Sequence, residues 1–345
     1  MEPIVVIIDS GIRATLIGER LIDSISFQKE EQEVDRSGHG TACAIVIKSI
    51  CPDSKFISIS ILDAEGFTSS QILREALEYC LTIDCHIINL SLSLLDEDNY
   101  EIKEICDELL KQNKVVVSAV RNRYKLSEPA IFDSVLGVRG SLFPSPNEFW
   151  FNSHKTIQLI TDMTPVFTNP ELGKYFVFSG NSKATAVGSG LVARTIMLEN
   201  YTDIKDIYRN LSNKCIKSQW IERELQAAIS SHRYKRRNAK FAESNVVYAK
   251  IEQLIRQVST TAGENIIDET LKANDSLFEM GIMVPETVVP LIQALEEEFR
   301  VKLDLKNITP FMLETISCIS DTLRGVKNKT DKNDITNMEI HKGIT

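Results

Sequence analysis

The sequence of 345 residues lacks the features that mark several common classes of protein. It has no apolar run of roughly 18 residues, the length that a membrane-spanning helix needs, so we expect no membrane partner. Its formal net charge of −9 argues against general binding to nucleic acid. The first residues lead directly into an apolar strand-like run, without the charged and apolar segments of a secretion signal. The hydrophobic content of 43% is ordinary for a globular chain with a sizeable core.

Cysteines are few, scattered and odd in number. No Cys-x-x-Cys pair and no cysteine–histidine cluster has the spacing of a metal site, so we expect neither a metal nor another cofactor. Their apolar surroundings indicate buried free thiols in a reducing compartment. The sequence therefore predicts a cytoplasmic protein. The seven cysteines are Cys43, Cys51, Cys80, Cys85, Cys106, Cys215 and Cys318.

The first 200 residues alternate apolar strand-like runs with helical patterns. Apolar residues recur at three and four positions in Ser70–Thr82 and in Asn99–Asn113, which predicts two amphipathic helices. Ala184–Leu198 is rich in small residues, which favours a buried helix. This alternation predicts an α/β fold with a parallel sheet covered by helices on both faces. The predicted strands are Ile4–Ile8, Phe56–Leu62, Ile87–Leu92, Val115–Val120 and Val135–Val138.

Three distant residues have the chemistry of an activated serine nucleophile. Asp9 ends the first apolar run, His39 lies between two glycines, and Ser182 begins the small-residue helix. A hydroxyl becomes nucleophilic beside an imidazole, and a carboxylate holds that imidazole in the required tautomer. The alternative for Asp9 is a helix-cap or turn residue and for Ser182 a plain helix N-cap, while a lone histidine such as His39 is more often structural or solvated.

In this chain order, the runs Asp9–Gly11, Gly38–Thr41 and Gly180–Ala186 resemble the subtilisin-like serine proteases. The resemblance covers about residues 3–200. It implies a subtilisin-like parallel sheet, serine endopeptidase activity on a peptide or protein substrate, and a catalytic triad formed by the three residues named above.

The resemblance also implies an oxyanion hole and a substrate cleft. In this family an asparagine after a buried strand donates its side-chain amide, and the backbone N–H of the catalytic serine is the second donor. Here the donors would be Asn122 and Ser182. The implied cleft residues are Leu90, Ser91, Leu92, Ser93, Arg121 and Lys183.

Ser93 replaces the usual cleft glycine, and two further positions depart from the family pattern with basic side chains. Arg121 replaces the usual glycine before the oxyanion asparagine, and Lys183 replaces the usual methionine after the nucleophile. We expect both to place positive charge beside the cleft. This favours either a preference for acidic peptide residues or a cleft that stays partly closed until a partner binds.

Features of secreted relatives are missing as well. Because the first strand follows Pro3 directly, we expect neither a signal peptide nor a propeptide. The chain passes from the histidine helix almost directly into the next strand, without a carboxylate-rich calcium loop. We therefore expect folding that does not depend on a metal.

Residues 246–325 resemble an acyl carrier protein, a small acidic four-helix bundle, through the segment 275–282 and the helical pattern 288–299. A carrier needs a serine for its phosphopantetheine arm, and the matching residue is Val284. Valine has no hydroxyl to carry the arm. Ser276 has one, but it lies one motif too early to match the attachment position. The resemblance therefore favours a degenerate carrier fold that serves as a docking module for a protein partner.

The patterns divide the chain into three predicted parts. Residues 1–241 form a protease domain, with a core over 3–200 and a helical extension over 201–241. The carrier-like domain covers 246–325, and the polar tail 326–345 is expected to be disordered.

The leading hypothesis is a cytoplasmic endopeptidase of narrow specificity that processes a precursor peptide or a partner protein. A protease-derived scaffold without activity is the alternative, and a carrier module in biosynthesis is a third hypothesis, which Val284 opposes. The basic run 232–237 is typical of a solvated linker or of a patch that docks an acidic partner.

Overall fold

The computed structural model describes residues 1–28, 35, 37–63, 66–94, 99–122, 124–143, 145–168, 176–200, 203–225, 246–261, 271–275, 277, 280, 282–283, 285–303, 308 and 310–326. Several positions singled out in the sequence lie outside these residues: the basic run 232–237, Ser276, Val284 and the tail 327–345. The chain divides into two units, Met1–Thr164 with Phe178–Arg233, and Pro165–Val177 with Tyr234–Thr345.

An eight-stranded sheet forms the centre of the first unit. Its strands are β1 Ile4–Asp9, β2 Leu21–Ser26, β3 Lys55–Ser60, β4 Ile87–Leu90, β5 Val115–Ala119, β6 Val135–Ser141, β7 Trp150–Phe151 and β8 Leu159–Asp162. Their order across the sheet is β2-β3-β1-β4-β5-β6-β8-β7. Neighbouring strands are parallel except β7, which is antiparallel to β8. The five predicted strands are confirmed, with ends that shift by up to three residues, and the mostly parallel α/β sheet is confirmed with them.

Helices lie on both faces of this sheet. The helix predicted over Ser70–Thr82 has those bounds in the structure, and the Ser69 hydroxyl accepts a hydrogen bond from Ile72 N at its start. The small-residue helix begins at Gly180, four residues before the predicted start, so that Ser182 lies in its first turn. The helices are α1 Ala14–Ile17, α2 His39–Ile50, α3 Ser70–Thr82, α4 Tyr100–Lys111, α5 Gly180–Glu199 and α6 Ile204–Lys214.

Alternation along the strands explains the two-sided packing. Val116 of β5 belongs to the core beneath α3 and α4, whereas Val117 points to the opposite face and lies close to Gly188 of α5. The small side chains of α5 allow this helix to pack directly on the sheet, and 14 of its residues are buried. All seven cysteines are free thiols, and five of them are buried.

The second unit is mainly helical among its described residues. It contains the helices Val246–Thr261 and Pro285–Phe299, a short 3₁₀ helix at Pro310–Leu313, and a helical segment over 316–326. Their apolar faces form one core. The carrier-like bundle over 246–325 stays a prediction.

A short two-stranded ribbon departs from the predicted domain boundaries. It pairs β9 Val166–Thr168 with β10 Phe176–Phe178, and Phe167 packs against the helical core of the second unit. Residues 165–177 therefore group with the second unit, although the sequence suggested that they belong to the protease domain. No helix among the described residues has the length and the hydropathy of a membrane span.

Candidate active site

Asp9 and His39 form the central pair of the site. Asp9 ends β1 at the edge where α/β proteins place functional groups, and its side chain is fully buried. His39 is the first residue of α2, and its Nδ1 lies 2.8 Å from Asp9 Oδ1 and 2.9 Å from Oδ2. Ser10 N also donates to Asp9 Oδ1, at 2.8 Å, which fixes the carboxylate. Asp9 thus orients the imidazole and leaves its Nε2 to meet a nucleophile.

A glycine allows the two segments to approach closely. A methyl group on Gly40 would collide with the carbonyl oxygen of Gly11 and would lie 3.1 Å from the Asp9 Cβ. The N-terminus of α2 can therefore rest directly on the turn after Asp9 only because residue 40 has no side chain. This explains the glycine after His39 in physical terms.

The electrostatic surroundings favour the imidazolium form of His39. Burial by itself would lower its pKa, but the charge of Asp9, the hydrogen bond to Asp9 and the charge of Asp35 together raise the pKa above the usual 6.5. An imidazole stabilised in this way can accept the proton of a hydroxyl during reaction.

Ser182 is tied to the sheet through Ser91. Ser182 Oγ donates to Ser91 O at 3.1 Å, and Ser91 Oγ donates to Ser182 O at 3.1 Å. Cys43, one turn after His39 on α2, donates its thiol to Ser91 Oγ at 3.3 Å. Hydrogen bonds therefore connect the histidine helix with the candidate nucleophile, while the Ser182 hydroxyl itself bonds to Ser91 rather than to His39.

Phe178 is a part of the site that the sequence analysis missed. Its ring meets the His39 ring edge to face, with centroids 5.4 Å apart and an interplanar angle of 87°. It is almost fully buried and lies two residues before Gly180. Phe178 therefore packs against the imidazole from the segment that leads to Ser182. The sequence signal that could have identified it is an aromatic residue just before the nucleophile turn.

Asn122 lies against the turn that carries the nucleophile. Its Oδ1 accepts a hydrogen bond from Asn181 N at 3.0 Å, which leaves Nδ2 as the donor for a ligand. Gly180 has a φ of +74°, and a Cβ there would lie 2.9 Å from Asn122 Oδ1. Asn122 is exposed, as a group that contacts substrate has to be.

Asn181 fixes this turn through both ends of its side-chain amide. Its Nδ2 donates to Val120 O at 2.7 Å, and its Oδ1 accepts from Gly140 N at 2.8 Å. Both halves of the amide are therefore used to attach the nucleophile turn to the ends of β5 and β6. Sequence patterns gave no sign of this role.

Lys183 does not place free charge in the cleft, contrary to the sequence-based expectation. Its Nζ lies 2.5 Å from Asp162 Oδ2, and each side chain is only 4% exposed. Burial lowers the pKa of Lys183, and the neighbouring Asp162 acts in the opposite direction. The reason for the difference is that the side chain points from the first turn of α5 toward the end of β8.

Leu90 is likewise not a cleft residue. It is fully buried in the core beneath α3 and α4, because alternation along β4 turns it toward those helices. Leu92 packs at the margin of the same core, and Ser93 is half-buried. Ser91 is the member of this run that touches Ser182.

Arg121 remains as a cation at the rim of the site. Its guanidinium lies over the Tyr124 ring, 4.6 Å from the centroid, and its backbone N–H donates to Ser127 Oγ at 2.8 Å. Across the part of the chain that the structure describes, Arg121 has no acidic partner. A substrate carboxylate could therefore pair with it.

Asp9, His39 and Cys43 hold ligand atoms within 4.8 Å of one another, a spacing that a metal ion could use. Burial, however, raises the pKa of the Cys43 thiol well above its usual value, so the thiolate that a metal prefers is disfavoured. His39 Nδ1 is already engaged by Asp9. The group suits proton transfer better than metal binding.

Comparisons with known proteins agree with this architecture. No family model matches the sequence. An intracellular serine protease of Paenibacillus polymyxa is 24% identical over 226 residues, which are 59% of this chain and 69% of that protein.

Two solved structures share the fold. The crystal structure of a cold-adapted subtilisin-like serine proteinase matches with a TM-score of 0.53 and 17% identity, over 62% of this chain and 84% of that one. That of a lanthipeptide protease matches with a TM-score of 0.53 and 18% identity, over 63% of this chain and 81% of that one. The larger part of this chain therefore has the subtilisin-like α/β fold.

Proposed function

We propose that the chain is a serine endopeptidase that uses Asp9, His39 and Ser182. The observation that carries the proposal is the contact of His39 Nδ1 with both oxygens of a fully buried Asp9. The hydrogen-bonded link through Ser91 to Ser182, and the position of Asn122 against the same turn, support it.

In the proposed reaction, Ser182 Oγ attacks the carbonyl carbon of the scissile bond while His39 Nε2 takes its proton. Asp9 stabilises the imidazolium, and Asn122 Nδ2 and Ser182 N donate to the oxyanion. The C–N bond then breaks as His39 returns the proton to the leaving amine, and a water molecule releases the acyl group by the reverse sequence. Ser182 Oγ must first leave Ser91 O, which costs about 0.5–1.5 kcal/mol for one neutral hydrogen bond.

A fluorophosphonate probe tests this assignment, because it phosphonylates a serine only when that serine is activated. We expect labelling of the full chain at Ser182 and none in Ser182→Ala. Ser212→Ala, on the exposed side of α6, serves as the matched serine control and should label like the wild type. A folded wild-type chain that stays unlabelled, with and without substrate peptides, would contradict the proposal.

A scaffold without activity is the second candidate, and one observation favours it. The Ser182 hydroxyl bonds to the Ser91 carbonyl and not to His39. Catalytic hydrogen bonds often form only once substrate is bound, so this geometry is also expected of an enzyme at rest. The labelling experiment separates the two.

The proposed substrate is a precursor peptide or a protein with an acidic residue near the scissile bond. Arg121 supports the acidic preference, because it is held at the rim without an acidic partner among the described residues. One structural relative is a lanthipeptide protease, which favours a peptide substrate. The relative from Paenibacillus polymyxa is an intracellular protease, and we propose a cytoplasmic location for this chain also.

We further propose that the second unit is a docking module for a protein partner. Its helix Pro285–Phe299 presents the exposed Glu297, which suits a basic partner surface, whereas the neighbouring Glu298 already pairs with Lys250 at 3.3 Å. The module also includes residues 165–177, which run directly into Phe178 and the nucleophile turn. Glu297→Lys should slow cleavage of the physiological substrate and leave fluorophosphonate labelling unchanged. Equal cleavage by both forms would count against docking at this helix.

A further inference from the structure

A second buried carboxylate, Asp35, lies behind the Asp9–His39 pair. Its exposed fraction is 0%, so its charge has to be satisfied within the protein. Oδ1 accepts from Ser10 Oγ and from Gly38 N, both at 2.8 Å, and from Ser37 Oγ at 3.3 Å. Oδ2 accepts from Thr41 N at 2.9 Å and from Thr41 Oγ1 at 2.6 Å.

These donors come from the two segments that carry the candidate catalytic pair. Ser10 follows Asp9, whereas Gly38 and Thr41 flank His39 at the start of α2. Ser10 Oγ also contacts Asp9 Oδ1 at 3.1 Å and accepts from Gly40 N at 3.1 Å. Asp35 therefore joins the aspartate turn to the histidine helix through hydrogen bonds on both sides.

We propose that Asp35 is a positioning residue of the active site, one that fixes the orientation of His39 toward Asp9 and tunes its protonation. This inference rests on the proposed peptidase function. Asp35 makes no hydrogen bond to the imidazole; it acts through Ser10 and through the first turn of α2.

Four charged or titratable groups stand out around His39 among the described residues. One is the buried Arg13, whose Nε donates to Asp35 O at 2.9 Å. Asp9 faces the imidazole from the end of β1, Asp35 lies behind it, and Cys43 is one turn along the histidine's own helix with a thiol kept neutral by burial. Phe178, whose ring contacts the imidazole from the segment before the nucleophile, carries no charge. Asp35 is thus the second negative charge that favours the imidazolium, after Asp9.

Asp35→Asn in the full chain tests the proposal, because it removes the charge and nearly preserves the shape. We expect the acid limb of the labelling rate against pH to move to lower pH, since less charge stabilises the imidazolium. At its plateau the labelling rate should fall roughly ten- to a hundredfold, the range for a misplaced reacting group. KM for a peptide substrate should change little. Asp53→Asn removes an exposed carboxylate that pairs with Arg20. It is the control, and it should change neither the acid limb nor the plateau of the labelling rate.

A second measurement does not depend on activity. In Ser182→Ala, the His39 imidazole is titrated by nuclear magnetic resonance with and without Asp35→Asn. A shift of its midpoint to lower pH supports the proposal even if wild-type chain never labels, so that failure of the proposed function and failure of this inference remain distinguishable.

If Asp35→Asn does not fold, Ser10→Ala tests the positioning role of Asp35 instead. It removes the bridge to Asp9 and keeps both carboxylates, so the labelling plateau should fall while the acid limb moves less. An unchanged His39 titration in Asp35→Asn, or an unchanged plateau in Ser10→Ala, would overturn the proposal, because a purely structural role affects only the unfolding midpoint.

Discussion

Lys183 Nζ and Asp162 Oδ2 form a buried ion pair 2.5 Å long, directly after the candidate nucleophile. The pair joins the first turn of α5 to the last residue of β8. Asp162 Oδ1 also accepts from Thr164 N at 3.0 Å, so that the carboxylate is held from a second direction. The nucleophile turn is therefore anchored to the end of β8.

The first prediction concerns the stability of this anchor. Lys183→Met leaves the Asp162 charge buried without its partner, and we expect a loss of about 3–5 kcal/mol in the free energy of unfolding. Asp162→Asn combined with Lys183→Met should recover most of that loss, because no charge is then left unpaired. Denaturant unfolding of the single and double variants measures the coupling. Lys111→Met, in the exposed pair with Glu108, is the control and should change little. Additive losses would contradict the prediction.

The burial of Lys183 could not be predicted from the sequence. A lysine directly after the candidate nucleophile suggests a free positive charge beside the active site. In the structure this charge is paired with Asp162, which lies on a strand that is distant in sequence. Leu90 shows a related limit. The sequence predicted that it lies on a strand, but the face of the sheet toward which its side chain points depends on the strand register. Asp9, His39 and Ser182 could be proposed from the sequence because the glycines and apolar runs beside them are visible there.

The second prediction concerns pH. Because the pKa of His39 is raised above 6.5, the labelling rate of Ser182 should rise with pH and reach half its maximum above 6.5, as the imidazole loses its proton. Asp9→Asn should move this acid limb to lower pH, because the largest attraction for the imidazolium is removed. A half-maximum in the wild type below 6.5 would contradict the assignment of His39 as the base.

The same pKa shift predicts a pH-dependent stability, which forms the third prediction. The folded-state pKa lies above the unfolded value, so the attraction of His39 to Asp9 stabilises the fold fully below 6.5 and is lost as pH rises through the raised value. The difference in unfolding free energy between wild type and His39→Gln should therefore shrink as pH rises across this window. Asp53→Asn provides a baseline for general charge effects. A constant difference would show that the pair does not favour the imidazolium.

The fourth prediction concerns the oxyanion donor. Asn122→Asp retains an oxygen that accepts from Asn181 N but replaces the Nδ2 donor with a carboxylate oxygen. We expect kcat to fall by about 10²–10³, the usual loss for one oxyanion donor, with little change in KM. Because Asn122 is exposed, the unfolding midpoint should hardly change, which separates catalysis from stability. Wild-type kcat in this variant would exclude Asn122 from the oxyanion hole.

Long-range pairing explains the remaining differences between sequence and structure. Strands β7 and β8 are short, and β7 is antiparallel, so neither has the long apolar run that marked the central strands. The grouping of residues 165–177 with the second unit depends on the packing of Phe167 against a core that lies far away in sequence. Asp35 was missed because its hydrogen-bond donors are mostly turn residues whose positions only the fold defines.

The fifth prediction concerns substrate choice. Arg121→Gln keeps the polar character of the side chain at this position and removes its charge, so cleavage of peptides with an acidic residue near the scissile bond should slow relative to neutral peptides. The Coulomb attraction of an ion pair at about 4 Å is about 1 kcal/mol in bulk water and about 4 kcal/mol near a protein surface, so we expect at least a severalfold fall in relative kcat/KM. Lys125→Gln, four residues on and exposed, is the matched control and should leave the preference unchanged. Lys183→Met should not alter it either, since its charge is paired with Asp162 and buried. If the Arg121 variant and the wild type cleave acidic and neutral peptides in the same ratio, Arg121 does not select the substrate. Its stacking on Tyr124 then has a role other than substrate selection.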